Sequence, residues 1–78
     1  MQHLPPIAAL RALAVASRHL SFTKAADELN VTQSAVSHQI KYIEEMWDVK
    51  LFERRPRQLL LTPAGEKLAE IVNKFIED

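Results

Sequence analysis

Apolar residues recur three and four positions apart along most of this 78-residue chain, which is the spacing of amphipathic helices. The first segment with this spacing comprises Ile7, Leu10, Leu13, Ala14 and Ser17. Pro5 and Pro6 precede it, at positions where the missing N–H groups of proline cost a helix nothing. We therefore predict a first helix that buries this apolar face and ends near His19 and Leu20.

Capping residues divide the next part of the chain into two helices. Ser21 is a good N-cap for a short helix from Phe22 to about Leu29, because its hydroxyl can accept a first-turn N–H. Asn30 tolerates the left-handed conformation that ends many helices. Thr32 is the next N-cap, and the pattern predicts a third helix from Gln33 to about Trp47.

The period of the pattern changes after the third helix. Residues 51–53 and 59–61 are typical of two short strands, joined by a proline-containing turn at 54–58. The three consecutive leucines at 59–61 are equally compatible with a helix. Thr62 followed by Pro63 predicts the start of a fourth helix, since proline is favoured at the first helical position.

The fourth helix has two open interpretations. Gly65 in its first turn is a mild penalty, up to about 1 kcal/mol relative to alanine. Its apolar residues have helical spacing, which indicates either a face buried within the chain or, at heptad spacing, a seam between two copies. The second interpretation is favoured. The predicted seam consists of Leu68, Ile71, Val72 and Phe75.

Composition restricts the class of protein. The chain is 47% hydrophobic and 26% charged, which is ordinary for one small globular domain. It contains no cysteine, so disulfides, zinc–thiolate sites and thiol nucleophiles are excluded. No apolar run approaches the roughly 20 residues that span a bilayer, and the first residues lack the basic start of a signal peptide. We expect a soluble, cytoplasmic protein that does not bind membranes.

The sequence offers no combination of residues suited to catalysis. With one glycine and no paired acid and base, the chain has no credible catalytic pocket, and we expect neither a cofactor nor a metal. Glu44 is expected to cap or join helices rather than act as a general acid. Trp47 and Phe52 are expected in the core, although stacking on bases is an alternative.

The charges sum to zero but are unevenly distributed. Ten basic and ten acidic residues argue against general affinity for polyanions. Residues 54–62, however, contain Arg54, Arg55 and Arg57 and no acid. Such a cluster at a hairpin tip is either a solubilising surface or a wing that contacts phosphates.

The third helix separates into two faces when it is projected at 100° per residue. The apolar face, which must contact the core, consists of Ala35, Val36, Ile40, Ile43, Met46 and Trp47. The opposite face has no acid and consists of Gln33, Ser34, Ser37, His38 and Lys41. It is either a solvated polar surface or a surface that reads bases in a major groove. With the short turn before it, this helix has helix-turn-helix dimensions.

The stretch SFTKAADELNVTQSAVSHQIKYIEE, followed by LFERRPRQLLLTPAGEKL, closely resembles the N-terminal DNA-binding domain of the LysR-type transcriptional regulators of bacteria. The resemblance covers about residues 6–78, and SHQIK at 37–41 is most similar to the branch of the glycine-cleavage activators. It implies a mainly α, winged helix-turn-helix fold with three helices, a short two-stranded wing and a C-terminal linker helix. Residues 1–62 would form the DNA-binding domain and residues 63–78 the start of the dimerising linker. A small-molecule effector would bind only to a C-terminal domain that this chain lacks.

The resemblance also implies roles for individual residues, in the third helix, the wing and the start of the second helix. The full set of candidate DNA-binding residues is Ser21, Thr23, Thr32, Gln33, Ser34, Ser37, His38, Lys41, Arg54, Arg55 and Arg57. Two departures from the family pattern matter. His38 stands where most members have arginine, and Trp47-Asp48 where they have leucine and glycine. The turn into the wing must therefore hold a non-glycine residue, Asp48, for which a positive φ is one of the open conformations.

Two functions follow from these observations. The first is sequence-specific binding of double-stranded DNA by a homodimer or higher homo-oligomer, with helix 33–47 in the major groove and wing 54–58 on the backbone or minor groove. Its operator would be dyad-symmetric, with half-sites about one helical turn, or a multiple of it, apart. The alternative is a helical protein-interaction module that docks through the fourth helix, which the zero net charge supports.

Overall fold

The computed structural model describes residues 5–77. Within these residues, four helices and one antiparallel hairpin follow one another. Their order is α1 (Ile7–His19), α2 (Phe22–Leu29), α3 (Gln33–Trp47), β1 (Phe52–Arg55), β2 (Gln58–Leu61) and α4 (Pro63–Glu77). This is the mainly α, winged helix-turn-helix architecture predicted from the sequence.

Side-chain caps fix the bounds of α2 and α3. The Oγ of Ser21 accepts the backbone N–H of Lys24 at 3.0 Å, and the Oγ1 of Thr32 accepts that of Ala35 at 3.1 Å. Asn30 ends α2 in the left-handed region, with φ 64°. These predictions are confirmed because capping depends on neighbours in the sequence.

Two other residues in the described part of the chain, Leu20 and Asp48, have positive φ. Asp48 has φ 52° after α3, which settles the conformation that the sequence left open. Leu20 has φ 50° after α1, and its N–H bonds to the Ala16 carbonyl at 2.8 Å. The left-handed conformation is costly for a residue with a Cβ, about 1–2 kcal/mol. It allows only Leu20 and Ser21 to separate α1 from α2.

The core is centred on α1, which packs against α2, α3 and α4. The largest fully buried side chains in the described residues are Leu13, Val36, Ile43 and Leu51. Ile7 was predicted to be in the core, but 61% of it is exposed. Ala14, two turns later on the same side of α1, is fully buried, so this side is covered only beyond the first turn.

One face of α4 belongs to the same core and another faces outward. Val72 is 5% exposed and lies in the core cluster, so its predicted place in an intermolecular seam is wrong for this structure. Leu68 is half-buried against the core, whereas Ile71 is 59% and Phe75 71% exposed. One face of the helix is therefore buried within the chain, and the seam between two copies stays a prediction for the exposed face. The boundary at residue 62 between the predicted domains stays a prediction.

The hairpin differs from its prediction in extent. The strands are Phe52–Arg55 and Gln58–Leu61, and the last pair in the register is Arg55 with Gln58. Only Pro56 and Arg57 remain as the turn, because pairing continues through two of the arginines. The leucines at 59–61 are in a strand, which excludes the helical alternative.

Gly65 occupies a position where no larger residue fits. The backbone N–H of Thr62 donates to the Leu51 carbonyl at 3.0 Å, which brings the start of α4 against the residue before β1. A Cβ on Gly65 would overlap that carbonyl oxygen. The glycine that weakens the helix locally is therefore required by this close approach.

No helix within residues 5–77 is long and apolar enough to cross a membrane.

Candidate nucleic-acid interface

An open groove of about 550 Å³ lies between the wing and the N-terminal ends of α2 and α3. We call it the wing groove. The basic residues along it are His19, Lys24, Arg54, Arg55 and Arg57, and none of its lining residues in the described chain is acidic. The first residues of α2 and of α3 line this groove, and helix N-termini favour anions. The wing groove is therefore suited to phosphate groups.

The predicted DNA-binding residues are only partly brought together. Ser21, Thr23 and Gln33 line the wing groove with the three arginines. His38 lies further along α3, beside Pro6, and Lys41 lies near the acidic C-terminal end of α3. The candidates therefore form a strip along α3 rather than one pocket.

The polar face of α3 has few partners within the chain. Gln33, His38 and Lys41 are exposed, and no hydrogen bond or ion pair in residues 5–77 involves their side chains. Ser34 has only a long contact of 3.4 Å, between its Oγ and the Oγ1 of Thr32. These donors and acceptors are available to an external ligand.

The three wing arginines point in different directions because side chains alternate along a strand. Arg54 shares the inner face of β1 with Phe52, and its Nη2 donates to the Oγ of Ser37 at 2.8 Å. Arg55 is on the outer face, where its Nη2 lies 3.4 Å from the Oε1 of Glu53. Arg57 is in the turn. Only the first of these three connects the wing to α3.

An aromatic pair supports Arg54. Its guanidinium carbon lies 4.8 Å from the centre of the Phe22 ring, a cation–π distance. The Phe22 and Phe52 rings meet edge to face, with centroids 5.3 Å apart and planes at 78°. The sequence reasoning missed Phe22, and its place at the first position of α2, beside a cap, gives no signal of this contact.

Glu44 joins α3 to the wing. Its Oε2 accepts the backbone N–H of Leu51 at 2.8 Å and that of Phe52 at 3.3 Å. Its side chain is 14% exposed. The expected capping role is confirmed, although the capped element is the start of the wing. Phe52 is buried and Trp47 packs against the core, as predicted.

A polar cluster connects α1, α2 and α4 at the rear of the groove. Glu28 bonds with the His19 Nε2 at 2.7 Å and with the Arg18 Nη2 at 3.3 Å. The hydrogen bond from His19, followed by the charge of Arg18, lowers the pKa of Glu28 below its ordinary value of 4.5. Arg18 also donates to the Oδ1 of Asn73 at 3.2 Å, and Asn73 donates to the Ser17 hydroxyl at 3.1 Å. These contacts tie α4 to the rest of the fold.

The sequence matches, over residues 7–66, the family described as bacterial regulatory helix-turn-helix protein, lysR family. It is 60% identical to the glycine cleavage system transcriptional activator of Escherichia coli (strain K12), over 97% of this chain and 26% of that protein. The chain thus spans about a quarter of the length of the curated relatives it matches.

Solved structures show the same fold. Oxidized OxyR of Corynebacterium glutamicum superposes with a TM-score of 0.90 at 30% identity, over 99% of this chain and 25% of that chain. A complex of BenM_DBD with catB site 1 DNA superposes with a TM-score of 0.87 at 33% identity, over 92% of this chain and 80% of that chain. The second of these neighbours was solved with DNA bound.

Proposed function

This chain belongs to the lysR family of bacterial regulatory helix-turn-helix proteins, and on that premise we propose that it binds double-stranded DNA sequence-specifically, as the DNA-binding part of a transcriptional regulator. The observation that carries the proposal is the exposed polar face of α3 beside the basic wing groove, on which the side chains of Gln33, His38 and Lys41 have no hydrogen bond or ion pair within residues 5–77. A bound DNA would place its bases against the polar face of α3 and its phosphates against the wing groove.

Each part of the surface has a distinct role in this proposal. The N-terminal half of α3 enters the major groove, where Gln33 and Ser34 meet base edges. Arg55 and Arg57 meet phosphates or the minor groove, and Ser21 and Thr23 meet the backbone at the start of α2. Thr32 caps α3, His38 and Lys41 extend the contact along it, and the wing groove holds one strand.

The proposed assembly is a dimer through α4. Ile71 and Phe75 are exposed, four residues apart, on one side of the helix, and no other element in the described chain covers them. With Leu68 at its edge, this side is the proposed seam. Two copies paired in this way would present two recognition helices to a dyad-symmetric site.

We place the protein in the cytoplasm with its DNA, acting as a regulator rather than an enzyme. A small-molecule effector would be bound by a domain outside these residues, so this chain should bind DNA without responding to one.

The proposal is tested by fluorescence-anisotropy titration onto the intergenic DNA upstream of its own gene and onto a scrambled duplex, at two salt concentrations. We expect preference for the upstream DNA and an affinity that falls steeply with salt, because arginines displace counterions. Gln33→Ala should weaken the preferred duplex alone, and Arg57→Ala should weaken both. Absence of binding to either duplex at low salt contradicts the proposal.

The exposed Ile71 and Phe75 also favour a second candidate, a helical module that docks a protein through α4. The two candidates differ in their dependence on charge. Neutralising Arg54, Arg55 and Arg57 together abolishes binding if the ligand is DNA, whereas a protein partner on α4 remains bound.

A further inference from the structure

We infer that Arg54 is a positioning residue, which presents the Ser37 hydroxyl to DNA as a hydrogen-bond donor. The inference rests on the DNA binding proposed above. In this role Arg54 acts on DNA indirectly, by orienting the Ser37 side chain of α3, and this is separate from any direct contact between Arg54 and a phosphate.

The hydrogen bond between the two side chains leaves the Ser37 hydroxyl free to act as a donor. Arginine has donors and no acceptor, so the 2.8 Å contact from the Arg54 Nη2 must use a lone pair of the Ser37 Oγ. Within residues 5–77, no other hydrogen bond involves the Ser37 side chain. The hydroxyl hydrogen is therefore left for an acceptor outside the chain.

Arg54 is held in place from two sides. It points inward because it alternates with Glu53 and Arg55 along β1. Its guanidinium then lies 4.8 Å from the centre of the Phe22 ring. Phe22 is 6% exposed and packs edge to face on Phe52, so the surface under the guanidinium is part of the core. The donor is thus fixed before DNA arrives.

This arrangement restricts what Ser37 can recognise. A free serine hydroxyl contacts base donors and acceptors alike, which gives little discrimination. The Ser37 oxygen keeps one of its two lone pairs, but the positive guanidinium 2.8 Å away favours an electron-rich acceptor at the hydroxyl and disfavours a second donor, such as the amino groups of adenine and cytosine. The partner is therefore an acceptor atom of the DNA, either on a base edge or on a phosphate.

A double-mutant cycle tests whether Arg54 acts through Ser37. The probes are a fluorescein-labelled duplex recovered from a random-sequence library by the wild-type chain, and a scrambled duplex of the same composition. Ser37→Ala should weaken binding to the selected duplex by about 2- to 10-fold, the worth of one hydrogen bond. In an Arg54→Ala background, the same change should cost less than about 2-fold, because the hydroxyl is no longer fixed.

Two further variants control the cycle. Arg57 is on the same hairpin and has no hydrogen bond to α3 within residues 5–77, so the effects of Arg57→Ala and Ser37→Ala should multiply. Arg54→Met removes the donor but keeps a long side chain over the Phe22 ring. It should reproduce the coupling seen with Arg54→Ala while leaving the melting temperature close to that of the wild type.

The outcomes separate the inference from the function on which it rests. If Ser37→Ala costs the same factor with and without Arg54, the inference is wrong although DNA binding stands. If the library yields no preferred duplex, the proposed function fails and the inference with it. Where the coupling is found, loss on the selected duplex alone identifies a base acceptor, and equal loss on both duplexes identifies a phosphate.

Discussion

The carboxylate of Glu44 accepts the backbone N–H of Leu51 at 2.8 Å and so fixes α3 to the residue that precedes the wing. Leu51 is fully buried, so its N–H has no route to water once this acceptor is removed. An unsatisfied buried donor costs about 1–3 kcal/mol. The Glu44 carboxylate is therefore important for the geometry between α3 and the wing.

Glu44→Ala is accordingly expected to lower the free energy of unfolding by about 1–3 kcal/mol, measured by urea denaturation. Glu44→Gln, which keeps an acceptor oxygen, should recover part of the loss. The matched control is Glu45→Ala, at an exposed neighbouring position, which should change the free energy of unfolding by less than about 0.5 kcal/mol. Equal effects at the two positions contradict the assigned role of Glu44.

Gly65→Ala is expected to destabilise the fold by about 1–3 kcal/mol, although alanine is the better helix former by about 1 kcal/mol. The reason is the Leu51 carbonyl, which occupies the space that a Cβ needs. Thermal unfolding followed by circular dichroism measures the effect, with Glu70→Ala on the exposed face of α4 as control. A melting temperature that rises in Gly65→Ala would show that the backbone shifts at little cost.

These two positions also show how far the sequence could predict the fold. The bounds of α2 and α3 follow from Ser21, Asn30 and Thr32, because a cap satisfies groups only two or three residues away. Gly65 is different. From its neighbours in the sequence alone, Gly65 is expected only to weaken the helix. The reason that glycine is needed there is the carbonyl of Leu51, which lies fourteen residues earlier in the chain.

The candidate site likewise contains residues whose place follows from the local sequence and residues whose place depends on distant parts of the chain. Helical periodicity alone places Gln33 and Ser34 on the exposed face of α3. The direction of Arg54 depends on the register of a hairpin whose extent the sequence does not fix, and its contact with Ser37 joins residues 17 apart. A seam including Val72 was predicted because spacing alone does not distinguish a face buried within one chain from a face buried between two.

Asp48 sustains a left-handed backbone conformation, φ 52° and ψ 50°, at the C-cap of α3. Glycine adopts this conformation without steric cost, so Asp48→Gly is expected to stabilise the protein by up to about 1 kcal/mol. Asp48→Ala is expected to destabilise the protein, because alanine has neither the backbone freedom of glycine nor the short polar side chain by which aspartate tolerates positive φ. Thermal unfolding should rank the three as glycine, aspartate, alanine, and any other order contradicts strain at this turn.

Glu28 makes stability depend on pH in the acidic range. Its pKa is lowered in the folded state by the hydrogen bond from His19 and the charge of Arg18. A lowered folded-state pKa adds stability above the ordinary value of 4.5, and that contribution is lost as pH falls through the lowered pKa. Urea unfolding at a series of pH values should show this loss in the wild type. In Glu28→Gln the curve should be flatter there, with the exposed Asp27→Asn as control.

The two faces of α4 are expected to respond differently to mutation. Val72→Ala removes buried contacts and should lower the free energy of unfolding by about 1–3 kcal/mol. Phe75→Ser removes a side chain that is 71% exposed, so the fold should keep its stability while self-association weakens. Sedimentation velocity measures the association directly.

If the side of α4 that carries Phe75 is the seam, Phe75→Ser also prevents a second copy from joining the first on a dyad-symmetric site. Binding to such a duplex should then weaken by about a hundredfold, the gain that joining two binding units provides, while binding to a single half-site stays unchanged. Lys74→Ser, next to Phe75 and exposed, is the matched control and should change neither measurement. A Phe75→Ser chain that associates and binds the dyad like the wild type would place the contact between copies elsewhere on the molecule.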